Sequence, residues 1–247
     1  MSDARALLRK VSSLAGPLPS FDTSASASTP QAQFLAWLDQ AIAAGVQEAH
    51  AMTLSTVDDG GHPDARVLIL KDLDEQGWHF ATSAASPKGM QLCRHPEAAL
   101  TFYWPKVGRQ VRIRGTAIAL DYDINVADFL ARPQGSRAGA LLNRQSDVLA
   151  SANDVDTALS EQYERMARQP GLVAPAWTVY AVRPECVEFW QGDTQRRHTP
   201  TLPPRPHKLG ERAFVAVSMR NRKGFKSDHN DRQRKKSVRR DPNAGYA

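Results

Sequence analysis

Cysteine is almost absent from this chain: its 247 residues include two, Cys93 and Cys186. Two thiols cannot staple a disulfide scaffold, and these lack metal-ligand spacing, so the composition points to a reducing, cytoplasmic interior. No apolar run is long enough to cross a bilayer, and the first thirty residues lack the apolar segment of a secretion signal. G-x-S-x-G, P-loop and G-x-G-x-x-G patterns are missing too, which removes direct support for acyl transfer at a nucleophile elbow and for the usual nucleotide folds. The seven histidines show no H-E-x-x-H or comparable spacing, so no metal is expected.

The charge is uneven. The formal net charge is +6, yet residues 1–198 hold 19 Lys and Arg against 22 Asp and Glu, whereas residues 199–247 hold 13 against 4. The basicity belongs to the tail. A basic tail attracts phosphate backbones without specificity, and nothing in the body supports a specific nucleic-acid function. Residues 1–30, rich in Ser, Ala and Pro, read as a flexible arm. Residues 31–198 form the folded domain, and residues 199–247 read as a disordered basic tail with little apolar periodicity.

Within the domain, Phe34, Trp37, Leu38, Ile42 and Val46 recur at helical spacing, with the aromatics read as core. Ala51–Val57 and Ala65–Leu70 flank Asp58-Asp59-Gly60-Gly61-His62-Pro63 and predict a hairpin. Trp78–Thr82, a short helix from Ser86 to Cys93, Ala98–Trp104 and Gln110–Ala119 continue a meander. Helices follow at Asp123–Ala131, stopped by Arg132-Pro133, at Arg137–Asn143 and at Asp154–Arg168. Trp177–Val182 and Cys186–Gln191 alternate like two last strands. The class is mainly β with flanking helices (α+β), and pattern alone leaves a barrel and a sandwich both open.

The most informative stretch is Arg66-Val67-Leu68-Ile69-Leu70-Lys71. Four consecutive branched apolar residues predict a strand buried on both faces, with a cation at each end. Arg66, Lys71, Thr82, Ser86, Lys88, Gln110, Gln145 and Ser146 lie near strand ends. They supply charge for a phosphate together with neutral hydrogen bonds, and Trp104 and Trp190 offer borders for a flat ring. That set suits a phosphorylated aromatic cofactor bound without a metal, although any one of these residues reads more simply as a solvated polar side chain. Arg196-Arg197-His198, after a Trp-bearing strand, is a candidate substrate grip. Asp58 and Asp59 sit in a turn and read as solvated.

The series Ala51-Met52-x-Leu54-x-Thr56-Val57-Asp58, Arg66-x-x-x-Leu70-Lys71, Arg109-Gln110-Val111-x-Ile113-x-Gly115, Arg132-Pro133, Gln145-Ser146, Glu188-Phe189-Trp190-Gln191-Gly192 and Arg196-x-His198 resembles the pyridoxamine 5'-phosphate oxidase family over roughly residues 31–198. The resemblance implies an FMN-binding split β-barrel working as a homodimer, with flavin sites built from both chains. It implies FMN contacts from Arg66, Val67, Leu68, Ile69, Leu70, Lys71, Ala81, Thr82, Lys88, Gln110, Gln145, Ser146 and Trp190. Lys71, Arg132, Ser136, Arg196 and His198 fall where the family holds its phosphorylated pyridine substrate, with Arg196 and His198 over the reacting face. The implied reaction moves a hydride from the substrate C4' carbon to flavin, which O2 reoxidises, giving pyridoxal 5'-phosphate and hydrogen peroxide.

Three positions depart from the family pattern. Pro87 replaces an arginine of the cofactor-phosphate segment, Asp128 replaces a tyrosine of the substrate-phosphate site and would repel a phosphate, and Pro200 replaces an arginine. Related flavoenzymes acting on other rings, such as those of phenazine biosynthesis, share much of the barrel. A flavin- or pyridoxal-phosphate-binding protein without turnover stays open beside them. The family also closes on a terminal strand with a pattern like W-x-x-x-R-L-x-P. Read one base later, the codons of residues 199–205 permit R-L-R-Y-R-R-D and those of 206–216 permit x-T-N-W-V-K-E-R-L-W-P. A frame slip after the His198 codon would therefore account for the unusual tail, and loss of the family strand would leave a strand edge unpaired.

Overall fold

The computed structural model describes residues 3–12, 14, 17–21, 26–142 and 152–192, with backbone only for 152–154 and for a strand at 215–219. A short helix α1 (Ala4–Leu8) precedes α2 (Pro30–Ala43). Thr29 starts α2 by accepting a 3.2 Å hydrogen bond from the Ala32 N–H, and Pro30 occupies the first turn, where its missing N–H costs nothing. The helix buries Phe34, Trp37 and Ala41 and leaves Leu35 and Ile42 exposed. Its aromatics are core, as their spacing predicts.

The strands are β1 (Ala51–Val57), β2 (Pro63–Ile69), β3 (Asp72–Asp74), β4 (Gly77–Ser83), β5 (Glu97–Trp104), β6 (Arg109–Ala119), β7 (Trp177–Gln191) and β8 (Val215–Met219). Between them lie α3 (Pro87–Arg94), α4 (Tyr122–Ala131), α5 (Gln134–Leu142) and α6 (Ala152–Arg168). All pairings are antiparallel, in the order β2-β1-β5-β6-β7-β4-β3, with β8 also on β7. This sheet curls around one core made of Phe34, Trp37, Trp78, Phe80, Phe102, Trp104 and Phe189 with aliphatic neighbours. Each such side chain contributes roughly 1.5–3 kcal/mol by leaving water. Phe34 meets Trp78 and Phe102 edge-on, at 5.7 and 4.8 Å between ring centroids, which fixes α2 to the core side of the sheet.

Two glycines are required by close approach. A Cβ on Gly115 would lie 1.9 Å from the Arg183 carbonyl oxygen, where β6 and β7 shift register, and one on Gly77 would lie 2.0 Å from the Val182 carbonyl oxygen. Both sit where a neighbouring strand presses onto the backbone.

Four expectations change. The run after Arg66 is not buried on both faces: β2 is an edge strand paired with β1, Val67 is 68% and Ile69 43% exposed, and Leu68 and Leu70 pack partly against the core. Apolar composition reports a surface that can be covered, whereas position in the sheet decides whether this chain covers it. Residues 177–191 form one strand rather than two, because Pro184 sits at the register shift without ending the pairing to β6. Trp104 borders no ligand site; it is core, and its Nε1 donates to the Ala49 carbonyl at 2.8 Å. Within the tail, Val215–Met219 lies along Val187–Gln191, so this part of β7 is not left as an unpaired edge. Among the described residues no helix is long and apolar enough to cross a membrane.

Candidate functional site

The alternation of β2 puts Asp64, Arg66 and Leu68 on one side of the strand. Beside them a cavity of about 500 Å³ is lined by Asp64, Ala65, Arg66, Val67, Leu68, Pro87 and Lys88. Arg66 is held in place: Nη1 donates to Thr56 Oγ1 at 2.6 Å, and Nη2 donates to Asp64 and, at 3.3 Å, to Gln91 Oε1. Gln91 Nε2 donates to Asp64 at 3.1 Å; this bond first and the Arg66 charge next hold the Asp64 carboxyl below its ordinary value.

Lys88 enters from the start of α3. Ser86 caps that helix, its hydroxyl accepting from the Gly89 N–H at 3.3 Å, and Lys88 Nζ lies 3.4 Å from the same hydroxyl. Thr82 Oγ1 is 3.5 Å from Ser86 Oγ, and both residues are buried. Burial, followed by the Arg66 charge, pushes the Lys88 ammonium below the ordinary lysine value. Two cations, against the one carboxylate of Asp64, thus converge on the cavity next to an edge strand and a helix N-terminus, a net positive setting that favours an anion.

A second cluster forms where the β2–β3 connection meets α4. Lys71 Nζ lies 3.1 Å from Asp128 Oδ1, and Asp128 Oδ2 accepts from Trp177 Nε1 at 2.8 Å. Arg132, forced into extended backbone before Pro133, places its guanidinium 4.0 Å from the Trp177 ring centroid. Its Nη1 is buried with no hydrogen-bond partner among the described residues. Ser136 is exposed at the start of α5, and Arg137 in that helix donates to the Pro170 and Leu172 carbonyls at 2.9 and 3.3 Å.

The expected residues therefore fall into groups. Arg66, Val67, Leu68 and Lys88 surround one cavity with Thr82 close to its lysine, whereas Lys71 and Arg132 join the second cluster. Ile69 and Leu70 continue β2 toward Lys71, the Leu70 N–H donating to the His50 carbonyl at 2.8 Å. Ala81 packs beneath Trp177 and Val179. Gln110 and Trp190 face one another across β6 and β7 and do not line the Arg66 cavity. Gln145, Ser146, Arg196 and His198 lie outside the described residues.

Sequence reasoning missed Asp64, Thr56, Gln91 and Trp177. Asp64 had a readable signal, since it stands two residues before Arg66 and so on the same strand face. Gln91 and Trp177 come from distant elements and had none. The turn acids behave as expected: Asp58 accepts from the Gly60 and His62 N–H groups at 2.9 and 2.8 Å, and Asp59 pairs with Arg94. Among the described residues no group of His, Cys, Asp and Glu could hold a metal ion.

The architecture matches PhzG from Burkholderia lata 383, solved in complex with tetrahydrophenazine-1-carboxylic acid, with a TM-score of 0.67 and 23% identity over 83% of this chain and all of that one. It also matches a pyridoxamine 5'-phosphate oxidase-related, FMN-binding protein from Nostoc punctiforme, with a TM-score of 0.55 and 16% identity over 78% and 98% of the two chains. The fold is that of the FMN-binding split barrels. Residues 38–191 match the family described as pyridoxamine 5'-phosphate oxidase, and the pyridoxine/pyridoxamine 5'-phosphate oxidase of Acaryochloris marina is 40% identical over 169 residues, 68% of this chain and 77% of that one. The chain belongs to the pyridoxamine 5'-phosphate oxidase family, whose members are FMN-dependent oxidoreductases.

The Arg66 cavity suits FMN, the cofactor of that family. Like charges crowd there, since Arg66 helps to depress the Lys88 ammonium, and a phosphate bound between them would relieve that repulsion. Leu68, on the same side of β2 as Arg66, supplies apolar surface for a flat ring.

Proposed function

We propose that the protein is an FMN-dependent oxidase of pyridoxamine or pyridoxine 5'-phosphate, yielding pyridoxal 5'-phosphate and hydrogen peroxide. The cavity beside β2, where Arg66 and Lys88 outnumber the single carboxylate of Asp64, in a chain of this family, carries the reading. Bound FMN supplies the hydride acceptor and the route of electrons to O2. Arg66 and Lys88 hold its phosphate, Thr82 and Ser86 keep the lysine in place, and the β2 backbone from Arg66 to Lys71 borders the ring. Arg132 and Ser136 hold the anionic end of the substrate, with Lys71 between the two ligands. Arg196 and His198 orient the reacting carbon. Since hydride transfer needs no strong base from the protein, these groups bind and orient.

A homodimer fits the same reading. Gln110 and Trp190 stand apart from the Arg66 cavity within one protomer, and the exposed Val67 and Ile69 give β2 an apolar outer face. A second copy on that face would cover the strand and bring Gln110, Gln145, Ser146 and Trp190 to the flavin.

A second reading keeps FMN and replaces the substrate by another ring compound, as in the phenazine-type relatives. It is favoured by the Lys71–Asp128 ion pair, which spends a cation of the substrate site inside the protein. Peroxide release from the FMN-supplemented protein with pyridoxamine 5'-phosphate tests the first reading. Bound yellow flavin without peroxide from that substrate would point to the second, or to a binding protein without turnover. A protein that takes up no FMN would sink both oxidase readings.

A further inference from the structure

Of the cations near α4, each has a different fate. Arg137 is tied to two backbone carbonyls of the 170–172 loop. Lys71 is matched by Asp128 at 3.1 Å. Arg132 and Arg137 each keep a buried guanidinium nitrogen, Nη1 and Nε, without a partner among the described residues, but only Arg132 has no other hydrogen bond holding its guanidinium there. Asp128 is no chance neighbour: its second oxygen is held by Trp177 Nε1 at 2.8 Å, and Trp177 in turn packs edge-on against Phe129 at 5.8 Å and beneath Arg132. With its side chain 17% exposed and held on both oxygens, the carboxylate cannot swing away without breaking a bond to Lys71 or Trp177.

We propose that Asp128 is a specificity-determining residue of the ring-substrate site. It acts as a built-in counter-ion to Lys71, so that Lys71 offers the ligand no net charge and Arg132 is the one of these two cations left to meet it. Such a site holds a singly charged group, such as a carboxylate, about as well as a phosphate dianion, and gains little from phosphorylation of the ring substrate. A dianion approaching Arg132 meets the fixed Asp128 charge, and the repulsion grows with the ligand's own charge. Asp128 touches no reacting atom; it sets which anionic group the site accepts. The inference rests on the reading that Lys71 and Arg132 face the anionic end of the substrate.

Calorimetric titration of the FMN-loaded protein with pyridoxal 5'-phosphate, pyridoxal and nicotinate tests it. The wild-type chain is expected to bind pyridoxal 5'-phosphate less than tenfold more tightly than pyridoxal. Asp128→Asn, which keeps an oxygen for Trp177, is expected to raise that ratio at least fivefold, to move nicotinate less, and to leave pyridoxal within twofold. A wild-type ratio above tenfold overturns the proposal even if the variant fails to fold, and so does an unchanged ratio in a folded Asp128→Asn. Arg132→Gln separates the two levels. If it weakens both anions while Asp128→Asn has no effect, the counter-ion role fails and the site reading stands. If it weakens neither, the site reading fails and takes the proposal with it.

Discussion

Lys71 and Asp128, 57 positions apart in sequence, meet at 3.1 Å where the connection after β2 touches α4, and Trp177 of β7 closes the contact by donating to the other carboxylate oxygen. One ion pair thus ties together the strand expected to carry the flavin, the helix expected to carry the substrate and the longest strand of the sheet.

That geometry gives Trp177 a polar duty besides packing. Trp177→Phe keeps the edge-on contact with Phe129 and removes the Nε1 donor, so it should cost about 1 kcal/mol of stability, read by urea unfolding. A cost indistinguishable from zero would mean that the hydrogen bond to Asp128 is not maintained in solution.

Arg66 and Lys88 supply the charge of the β2 cavity. Lys88→Ala is expected to weaken FMN binding about tenfold or more, and Arg66→Ala by at least as much because it also releases Asp64. Quenching of flavin fluorescence on titration measures both. Unaltered dissociation constants in folded variants would place the FMN phosphate elsewhere.

The lowered Lys88 value has a signed consequence. In the folded apoprotein this lysine loses its proton at lower pH than in the unfolded chain. Between those two values the unfolded state binds more protons, so this group adds stability as pH rises. FMN affinity should move the opposite way over the same interval, falling as the ammonium that faces the phosphate is lost. Lys88→Arg should flatten the fall. Titration of FMN binding from about pH 7 to about pH 10 checks this, and identical profiles for the wild type and Lys88→Arg would argue against it.

Arg109 is buried with no carboxylate partner among the described residues: Nε donates to Gln191 Oε1 at 2.8 Å, Nη1 donates to Gln40 Oε1 at 2.6 Å, and the guanidinium lies 4.4 Å from the Trp37 ring centroid. It staples α2 to the ends of β6 and β7. Arg109→Met should cost about 2–4 kcal/mol, since two amide oxygens lose their donors. Arg109→Lys should recover less than half, because an ammonium cannot fork to both. A full rescue by lysine would show that charge alone matters.

The frame-slip reading of the tail is decided by the nucleotide sequence. Codons 199–216 should spell the alternate text when read one base later. If they do, a frame-restored chain, carrying the family's terminal strand in place of Val215–Met219, should bind FMN more tightly than the chain with its present tail. Codons incompatible with that text would remove the idea, and equal FMN affinity in the two chains would show that the terminal strand does not serve the site.

Local chemistry written in the sequence reached far. The periodicity of Phe34 and Trp37 announced a helix with an aromatic inner face, the turn residues 58–63 announced the β1–β2 hairpin, and Pro133 marked the end of α4, because each depends on neighbours within one or two turns of chain. The order of short motifs also carried the family. Among the expected site residues, Arg66, Leu68 and Lys88 line one cavity, since strand alternation and a helix start fix their directions locally.

What needed the tertiary structure was everything set by meetings between distant elements. Four branched residues in a row look buried, yet β2 lies at the sheet edge and shows Val67 and Ile69 to the outside, because coverage depends on which strands pair and composition does not state that. Gln91 became a partner of Arg66 and Asp64 only when β2 and α3 came together. Asp128, read along the chain, is a charge that repels a phosphate; in the fold it is the fixed partner of Lys71 and Trp177. The sequence by itself determined the split-barrel family and the kind of ligand. The folded chain decided which cations are already neutralised, because that depends on through-space distances of a few ångströms between residues that sequence spacing leaves unrelated.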